Sequence, residues 1–74
     1  MNAVFLDYAS LDQNDLDFQA LAALFSDFKM FEKTQATEVL SRIQQAEVVI
    51  TNKVVITAEH MQQCPNLKLI LISA

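Results

Sequence analysis

Residues 48–51 read VVIT, four β-branched side chains in succession. Such side chains lose rotamers in a helix but pack well on a pleated surface, so this stretch predicts a strand. Residues 3–6 read AVFL, a short apolar run that ends at Asp7. A continuous run of this kind is typical of a strand buried on both faces of a parallel sheet. The two stretches predict a first and a third strand in one parallel sheet.

Between these two stretches the apolar side chains change to helical spacing. They recur at intervals of three and four residues at Phe18, Leu21, Ala22 and Phe25. Asp17 precedes them and is suited to cap the N–H groups of a first turn. Residues 28–31 read FKMF, and the lysine suits an edge position close to water. The sequence therefore predicts a helix from about Phe18 and then a second, outer strand.

A second helix is predicted between residues 34 and 45, with Thr34 as its N-cap. Its apolar stripe consists of Val39, Leu40 and Ile43. Glu38 and Arg42 stand four residues apart, a spacing that favours an ion pair on a helix surface.

The last quarter of the chain predicts a short helix and a fourth strand. Thr57 is suited to cap the helix, and Glu59 lies in its first turn. Pro65 disfavours helical backbone in Cys64, so we expect the helix to end there. Residues 69–72 read LILI, which predicts the fourth strand.

Strand and helix thus alternate as βαβαβαβ over residues 1–74, which places the chain in the α/β class. Parallel strands joined by right-handed crossovers, with an edge-like second strand, favour the spatial order 2-1-3-4. This is the order in the first part of a flavodoxin-like sheet. The chain ends two residues after its most hydrophobic strand, whereas a complete domain is expected to cover such a strand on both sides. We therefore expect an incomplete flavodoxin-like domain, the leading part of a larger protein.

Composition excludes several classes of function. The 74 residues include no glycine, where average usage is roughly 7%, so no glycine-rich phosphate-binding turn is present. A net charge of −4 with five basic residues disfavours binding to nucleic acid or anionic membranes. One cysteine and one histidine form no zinc motif and no internal disulfide. With no segment apolar enough to span a membrane, we expect a soluble cytoplasmic protein without a metal site.

The motifs taken together resemble a known enzyme family. They are VFLD at 4–7, Asp15-Leu16, AEVVITNK at 46–53, and PNLKLI at 65–70 running into Ile72-Ser73-Ala74. In order and spacing they resemble the start of the D-isomer-specific 2-hydroxyacid dehydrogenases, closest to the glycerate dehydrogenase (hydroxypyruvate reductase) branch, where Thr-Asn-Lys is common. Residues 1–74 then correspond to the N-terminal portion of the substrate domain.

The resemblance implies an oxidoreductase that interconverts a 2-keto acid and a D-2-hydroxy acid with NAD or NADP. It also implies that the nucleotide-binding domain and the catalytic residues lie outside residues 1–74, so this chain alone is expected to be inactive and to bind no cofactor. The parent protein is expected to form a homodimer, and the isolated chain to self-associate through its exposed fourth strand.

Ligands of open parallel sheets bind beyond the carboxyl ends of the strands, which selects three places. They are Asp7-Tyr8, Asn52-Lys53 and Ser73-Ala74. Lys53 is the foremost candidate, as a cation that attracts a substrate carboxylate or, alternatively, as a solvated loop lysine. Asn52 is a candidate for substrate contact or for orienting the loop through backbone hydrogen bonds. In the family, the turn after the fourth strand holds the substrate carboxylate, which makes Ser73 and Ala74 candidates as well.

Other conspicuous residues favour structural roles. Asp7 and Tyr8 suit a turn and packing, His60 lies on the outside of a short helix, and Cys64 suits a small core position without an activating base. The acidic residues at 12, 15 and 17 fail the EF-hand pattern, because Leu16 stands where an oxygen ligand is required. An alternative interpretation is a complete flavodoxin-like or receiver-like interaction module, although the third strand ends in Thr51-Asn52 without a carboxylate.

Overall fold

The computed structural model of the protein describes residues 1–10 and 18–72. Four strands alternate with helices in this part of the chain, as the sequence predicts. The strands are β1 (Asn2–Phe5), β2 (Asp27–Met30), β3 (Val48–Thr51) and β4 (Leu69–Ile72). The α-helices are α1 (Phe18–Ala22), α2 (Val39–Ile43) and α3 (Ala58–Gln62), and single 3-10 turns span Tyr8–Ser10 and Ala36–Glu38. None of the described helices has the length and apolar character needed to cross a membrane.

The four strands form one parallel sheet in the order β2-β1-β3-β4, which confirms the predicted topology. Val4 of β1 is in register with Lys29 of β2 on one side and with Val49 of β3 on the other. Val49 is in turn opposite Ile70 of β4. Because all strands run the same way, their carboxyl ends meet along one edge of the sheet.

Alternate side chains of β1 and β3 enter two separate cores, one on each face of the sheet. On the first face, Val4, Leu6 and Val49 pack with Val39 and Ile43 of α2, and all five are almost completely buried. We call this the α2 face. Burial on both sides explains the continuous apolar runs of the central strands.

The opposite face, which we call the α1 face, is covered mainly by aromatic rings. Phe5 is fully buried there, and the Phe18 ring of α1 meets it edge-on with 6.0 Å between ring centroids. Phe25 and Phe28 stack 5.8 Å apart at the β2 side of the same core. Phe25 lies beyond the end of α1, so the helix is shorter than the apolar spacing predicts.

The prediction that Thr34 caps the second helix is wrong. Its hydroxyl donates to the Leu6 carbonyl at the end of β1, at 2.6 Å, and accepts from Arg42 Nη1 at 2.8 Å. Gln35 is the N-cap of the 3-10 turn Ala36–Glu38, and its N–H donates to the Glu38 carboxylate. Glu38 is in turn the N-cap residue of α2. A strand-end carbonyl that needs a donor outcompetes the helix for this hydroxyl.

The predicted signals for α3 and the predicted ion pair of α2 are confirmed, whereas Asp17, the predicted cap of the first helix, lies outside the described residues. Glu38 and Arg42 form the expected ion pair at 2.9 Å. The Thr57 hydroxyl accepts from the His60 N–H, and α3 ends before Cys64, which is buried in the α2 face.

Candidate functional site

The candidate site lies at the carboxyl edge of the sheet, between the ends of β1 and β3. The connection after β1 leads outward to β2, and the connection after β3 leads in the opposite direction to β4. This divergence opens a crevice, which is where open α/β sheets bind ligands. The residues that follow the two strands are Leu6-Asp7-Tyr8 and Asn52-Lys53-Val54.

Asp7 ties the two strand ends together. Asp7 is 5% exposed, and its carboxylate accepts hydrogen bonds from the backbone N–H groups of Asn52 at 2.8 Å, Lys53 at 2.6 Å and Val54 at 3.2 Å. The Thr51 hydroxyl lies 3.3 Å from the same carboxylate. We call this set of contacts the Asp7 clamp. A buried charge held by several donors is strongly fixed, so the clamp determines the shape of the loop that carries Lys53.

Ser10 supports the same loop from the β1 side. The Asn52 side-chain N–H₂ donates to the Ser10 hydroxyl at 2.9 Å and to the Ser10 carbonyl at 3.3 Å. The Ser10 hydroxyl donates in turn to the Asp7 carbonyl at 2.7 Å. Asn52 therefore orients the loop through backbone and side-chain contacts, whereas its contact with substrate stays a prediction.

Arg42 fixes the loop after β2, which forms another wall of the crevice. Its guanidinium donates to the Lys33 carbonyl at 2.7 Å and to the Thr34 hydroxyl at 2.8 Å. The same group lies 4.0 Å from the centre of the Phe31 ring, within the range of a cation–π contact. The loop is thus anchored to α2 and to the end of β1.

The loops after β1, β2 and β3 enclose an open cleft of about 340 Å³. It is lined by Asp7, Ala9, Ser10, Glu32, Lys33, Thr34, Lys53 and Val54. Two of these residues, Lys33 and Lys53, are exposed cations, and neither forms a salt bridge within the described part of the chain. The cleft therefore offers two cations to a small anion beside the carboxylates of Asp7 and Glu32, of which Asp7 is engaged in the clamp.

Glu32 brings a carboxylate to the wall of this cleft and contacts the neighbouring Tyr8. The Tyr8 hydroxyl donates to the Glu32 carboxylate at 3.2 Å, and the Tyr8 ring packs edge-on against Phe18. Partial burial, together with the neighbouring Glu32 charge, raises the pKa of Tyr8. Tyr8 therefore acts as a packing residue with one polar contact, as the sequence predicts.

A second cleft of about 480 Å³, lined mainly by apolar side chains, lies between the loop after β3 and β4. Lys53 borders both clefts, whereas Met61, Ile70 and Ile72 line only the second. A cation beside these apolar side chains suits a ligand with one charged end.

Two of the four predicted substrate-binding residues lie at the crevice, and the other two lie outside the described residues. Lys53 is exposed at the crevice, and Asn52 beside it is half-buried. Ser73 and Ala74 lie outside the described residues, as do the acidic residues at 12, 15 and 17. The substrate-binding roles of Lys53, Asn52, Ser73 and Ala74 stay predictions.

His60 and Cys64 have the structural roles that the sequence favours. His60 Nδ1 accepts from the Thr57 N–H at 3.1 Å and completes the cap of α3. Cys64 is buried, and this burial raises the pKa of its thiol. The described residues contain no group of three or more His, Cys, Asp or Glu side chains arranged to hold a metal ion.

Sequence reasoning missed Ser10, Lys33 and the second role of Arg42. Ser10 stands three residues after Asp7, a spacing that allows a 3-10 turn with a side-chain bond back to the Asp7 carbonyl. This spacing could therefore have predicted the contact of Ser10 with the backbone of Asp7. Arg42 was assigned only to its helix pair, and nothing in the local sequence indicates its contact with the distant Lys33 carbonyl.

The clamp also bears on the receiver-like alternative. Asp7 Oδ1 accepts from Thr51 and Asn52, and Oδ2 accepts from Lys53 and Val54. Both oxygens therefore point into the loop, and neither is presented as a nucleophile to a phosphoryl donor. This arrangement disfavours a phosphoacceptor role for Asp7.

Comparison with known proteins identifies relatives of the whole chain, although no family model matches it. A hydroxypyruvate reductase of Blautia hydrogenotrophica is 36% identical over 77 aligned positions, covering 100% of this chain and 24% of that protein. A glycerate dehydrogenase of Methylorubrum extorquens is 38% identical over 96% of this chain and 22% of its own length. A putative 2-hydroxyacid dehydrogenase of Haemophilus influenzae is 46% identical over 60% of the chain and 14% of its own length.

The chain thus spans less than a quarter of the length of the curated relatives it matches. The matched part is the N-terminal part of those proteins. The three names agree with the family that the motifs resemble. By sequence, the chain is a relative of the N-terminal part of the 2-hydroxyacid dehydrogenases, and its relatives there include a hydroxypyruvate reductase and a glycerate dehydrogenase.

Proposed function

We propose that this chain is the N-terminal portion of the substrate domain of an oxidoreductase that interconverts a small 2-keto acid and a D-2-hydroxy acid. The observation that carries the proposal is the similarity of nearly the whole chain to a hydroxypyruvate reductase and a glycerate dehydrogenase. The parallel sheet and its crevice support the proposal, since they provide an anion-sized site at the expected edge.

Within this function, Lys53 binds the carboxylate of the substrate. Its ammonium group is exposed at the crevice while its backbone N–H is fixed by Asp7. A charge-assisted hydrogen bond from an ammonium to a carboxylate holds one end of a keto acid and leaves its carbonyl to groups on the opposite wall. Asn52 shapes the loop, and Ser73 and Ala74 continue the carboxylate site after β4.

NAD or NADP is the hydride carrier in the proposed parent enzyme, and residues 1–74 do not fit it. The chain contains no glycine, and the turn after β1 is filled by the Asp7 clamp where a dinucleotide-binding turn would need open backbone N–H groups. We therefore propose that the cofactor is held by a nucleotide-binding domain encoded elsewhere in the parent. Homodimer formation and a cytoplasmic location of the parent stay predictions.

A chimeric enzyme tests the proposal. Residues 1–74 replace the matched N-terminal segment of the Methylorubrum extorquens glycerate dehydrogenase, and oxidation of NADH or NADPH is followed with hydroxypyruvate. We expect hydroxypyruvate-dependent oxidation well above that of a chimera carrying an unrelated segment. A folded chimera without such activity would contradict the proposal.

The purified 74-residue chain supplies the complementary assay. We expect it to oxidise neither NADH nor NADPH in the presence of hydroxypyruvate, because it lacks the cofactor site. Measurable turnover by this chain would overturn the assignment of the catalytic groups to another part of the parent.

A further inference from the structure

We infer that Asp7 is a positioning residue for substrate binding, acting through the backbone of the loop that carries Lys53. This inference rests on the proposed function, because it concerns the same site. The sequence favours a turn role for Asp7 at one of the three strand ends where a ligand is expected. The geometry points further, because its side-chain hydrogen bonds within residues 1–10 and 18–72 go to the four consecutive residues 51–54.

The Asp7 clamp joins two segments that are distant in sequence. Asp7 follows β1 and its partners follow β3, so the contacts span 44 to 47 positions of sequence. Three successive N–H groups converge on one carboxylate, which fixes the backbone of Asn52, Lys53 and Val54. The direction in which the Lys53 side chain leaves the loop is then set by Asp7.

In the part of the chain that the structure describes, no backbone ladder competes for the N–H groups of residues 52–54. β3 ends at Thr51, so the N–H groups of residues 52–54 lie beyond the sheet. Among the described residues, the contacts of the Asn52 and Lys53 N–H groups are with Asp7, and Val54 shares its N–H between Asp7 and the Thr51 hydroxyl. Without the carboxylate, the loop loses the acceptor that organises it.

A positioning role and a purely electrostatic role of Asp7 predict opposite effects of Asp7→Asn. Asp7 and Glu32 both line the cleft, and both bring a negative charge near an anionic substrate. If charge alone mattered, Asp7→Asn and Glu32→Gln would each strengthen anion binding. A positioning role instead predicts that Asp7→Asn weakens anion binding, because the new NH₂ group faces N–H donors of the loop.

The experiment uses Asp7→Asn with Glu32→Gln as the matched control. Hydrogen exchange by mass spectrometry on the 74-residue chain reports the N–H groups of residues 52–54. We expect Asp7→Asn to speed exchange in this segment at least about tenfold, with β1 and β3 unchanged, and Glu32→Gln to leave it unchanged. Unchanged exchange at residues 52–54 in Asp7→Asn would overturn the clamp.

The chimera described above supplies the kinetic readout. We expect Asp7→Asn to raise KM for hydroxypyruvate roughly ten- to a hundredfold with a smaller change in kcat, and Glu32→Gln, which removes a negative charge from the cleft, to lower KM. An unchanged KM in folded Asp7→Asn, or an equal rise in both variants, would overturn positioning. If Asp7→Asn lowers the folded fraction, Thr51→Val removes one hydroxyl from the clamp and is expected to raise KM by a smaller factor.

The two readouts separate the possible failures. An inactive chimera with unaltered residues 1–74 would overturn the proposed function, whereas the exchange experiment would still decide whether Asp7 controls the loop. An active chimera in which Asp7→Asn changes only thermal stability would overturn the positioning role and leave the proposed function intact.

Discussion

Lys53 and Asn52 are neighbours in sequence, but their side chains are used differently. The Asn52 amide contacts Ser10, so its side chain is committed to the loop. The Lys53 side chain is exposed at the border of both clefts. Only a side chain left available to solvent can meet an incoming carboxylate, which makes Lys53 the better candidate for substrate contact.

Replacing Lys53 tests this distinction in the chimera. We expect Lys53→Met to raise KM for hydroxypyruvate about tenfold or more, because loss of one charge-assisted hydrogen bond costs about 1.5–3 kcal/mol. Lys33→Met is the matched control, since it removes the other exposed cation of the same cleft. Equal effects of the two substitutions would indicate a general electrostatic attraction without a specific contact at Lys53.

The buried thiol of Cys64 gives a prediction about reactivity and pH. Burial raises its pKa, so the folded chain holds the proton more tightly than the unfolded chain. The contribution of Cys64 to the free energy of unfolding is therefore fully present below the ordinary pKa of a thiol. It is lost as pH rises through the raised pKa of Cys64. We expect slow alkylation by iodoacetamide in the folded chain and fast alkylation in urea. Equal rates in the two conditions would contradict the burial of this thiol.

At the scale of elements, the strands were predictable because each is an uninterrupted apolar or β-branched run. The predicted β4 has the observed bounds, and β1 differs by one residue at each end. The error at Thr34 has a physical cause. Its hydroxyl donates to the Leu6 carbonyl, which is distant in sequence, so it does not cap the helix. The location of the site followed from the topology, whereas the Asp7 clamp did not, since it consists entirely of long-range contacts.

Glu47 joins three strands at the opposite edge of the sheet. Its carboxylate accepts from the Asn2 N–H at 3.1 Å and lies 3.2 Å from the Lys68 ammonium, while its carbonyl accepts from the N–H groups of Lys68 and Leu69. The bond from Asn2, with Lys68 second, lowers the pKa of Glu47. This carboxylate therefore stabilises the fold when ionised.

We expect the contribution of Glu47 to be present above its ordinary pKa of 4.5 and to be lost as pH falls through the lowered value. Urea unfolding of the unaltered chain and of Glu47→Gln at a series of pH values measures this. The difference in stability between them should shrink in acid. Glu59→Gln, on the exposed side of α3, is the control and should show a smaller difference at neutral pH. A difference for Glu47→Gln that is independent of pH would contradict the prediction.

At the scale of the whole molecule, the two edges of the sheet are unlike. β2 carries Asp27 and Lys29, and charges of this kind protect an edge from pairing with another chain. β4 reads LILI and carries no charge. Leu69 and Leu71 are 49% and 42% exposed, and in register they lie beside Val48 and Ile50, on the α1 face of the sheet. This edge therefore presents both unprotected backbone and apolar surface.

Self-association of the 74-residue chain through β4 follows from this difference. We expect sedimentation velocity to show oligomers whose fraction rises with concentration in the high micromolar range. Leu71→Lys places a cation in the middle of the edge and should shift the chain toward monomer, because a desolvated lysine opposes strand pairing. Leu24→Lys is the matched control, since Leu24 is 73% exposed but lies outside the sheet. Monomeric behaviour of the unaltered chain at all concentrations would contradict the prediction, and an equal effect of both lysines would assign it to net charge alone.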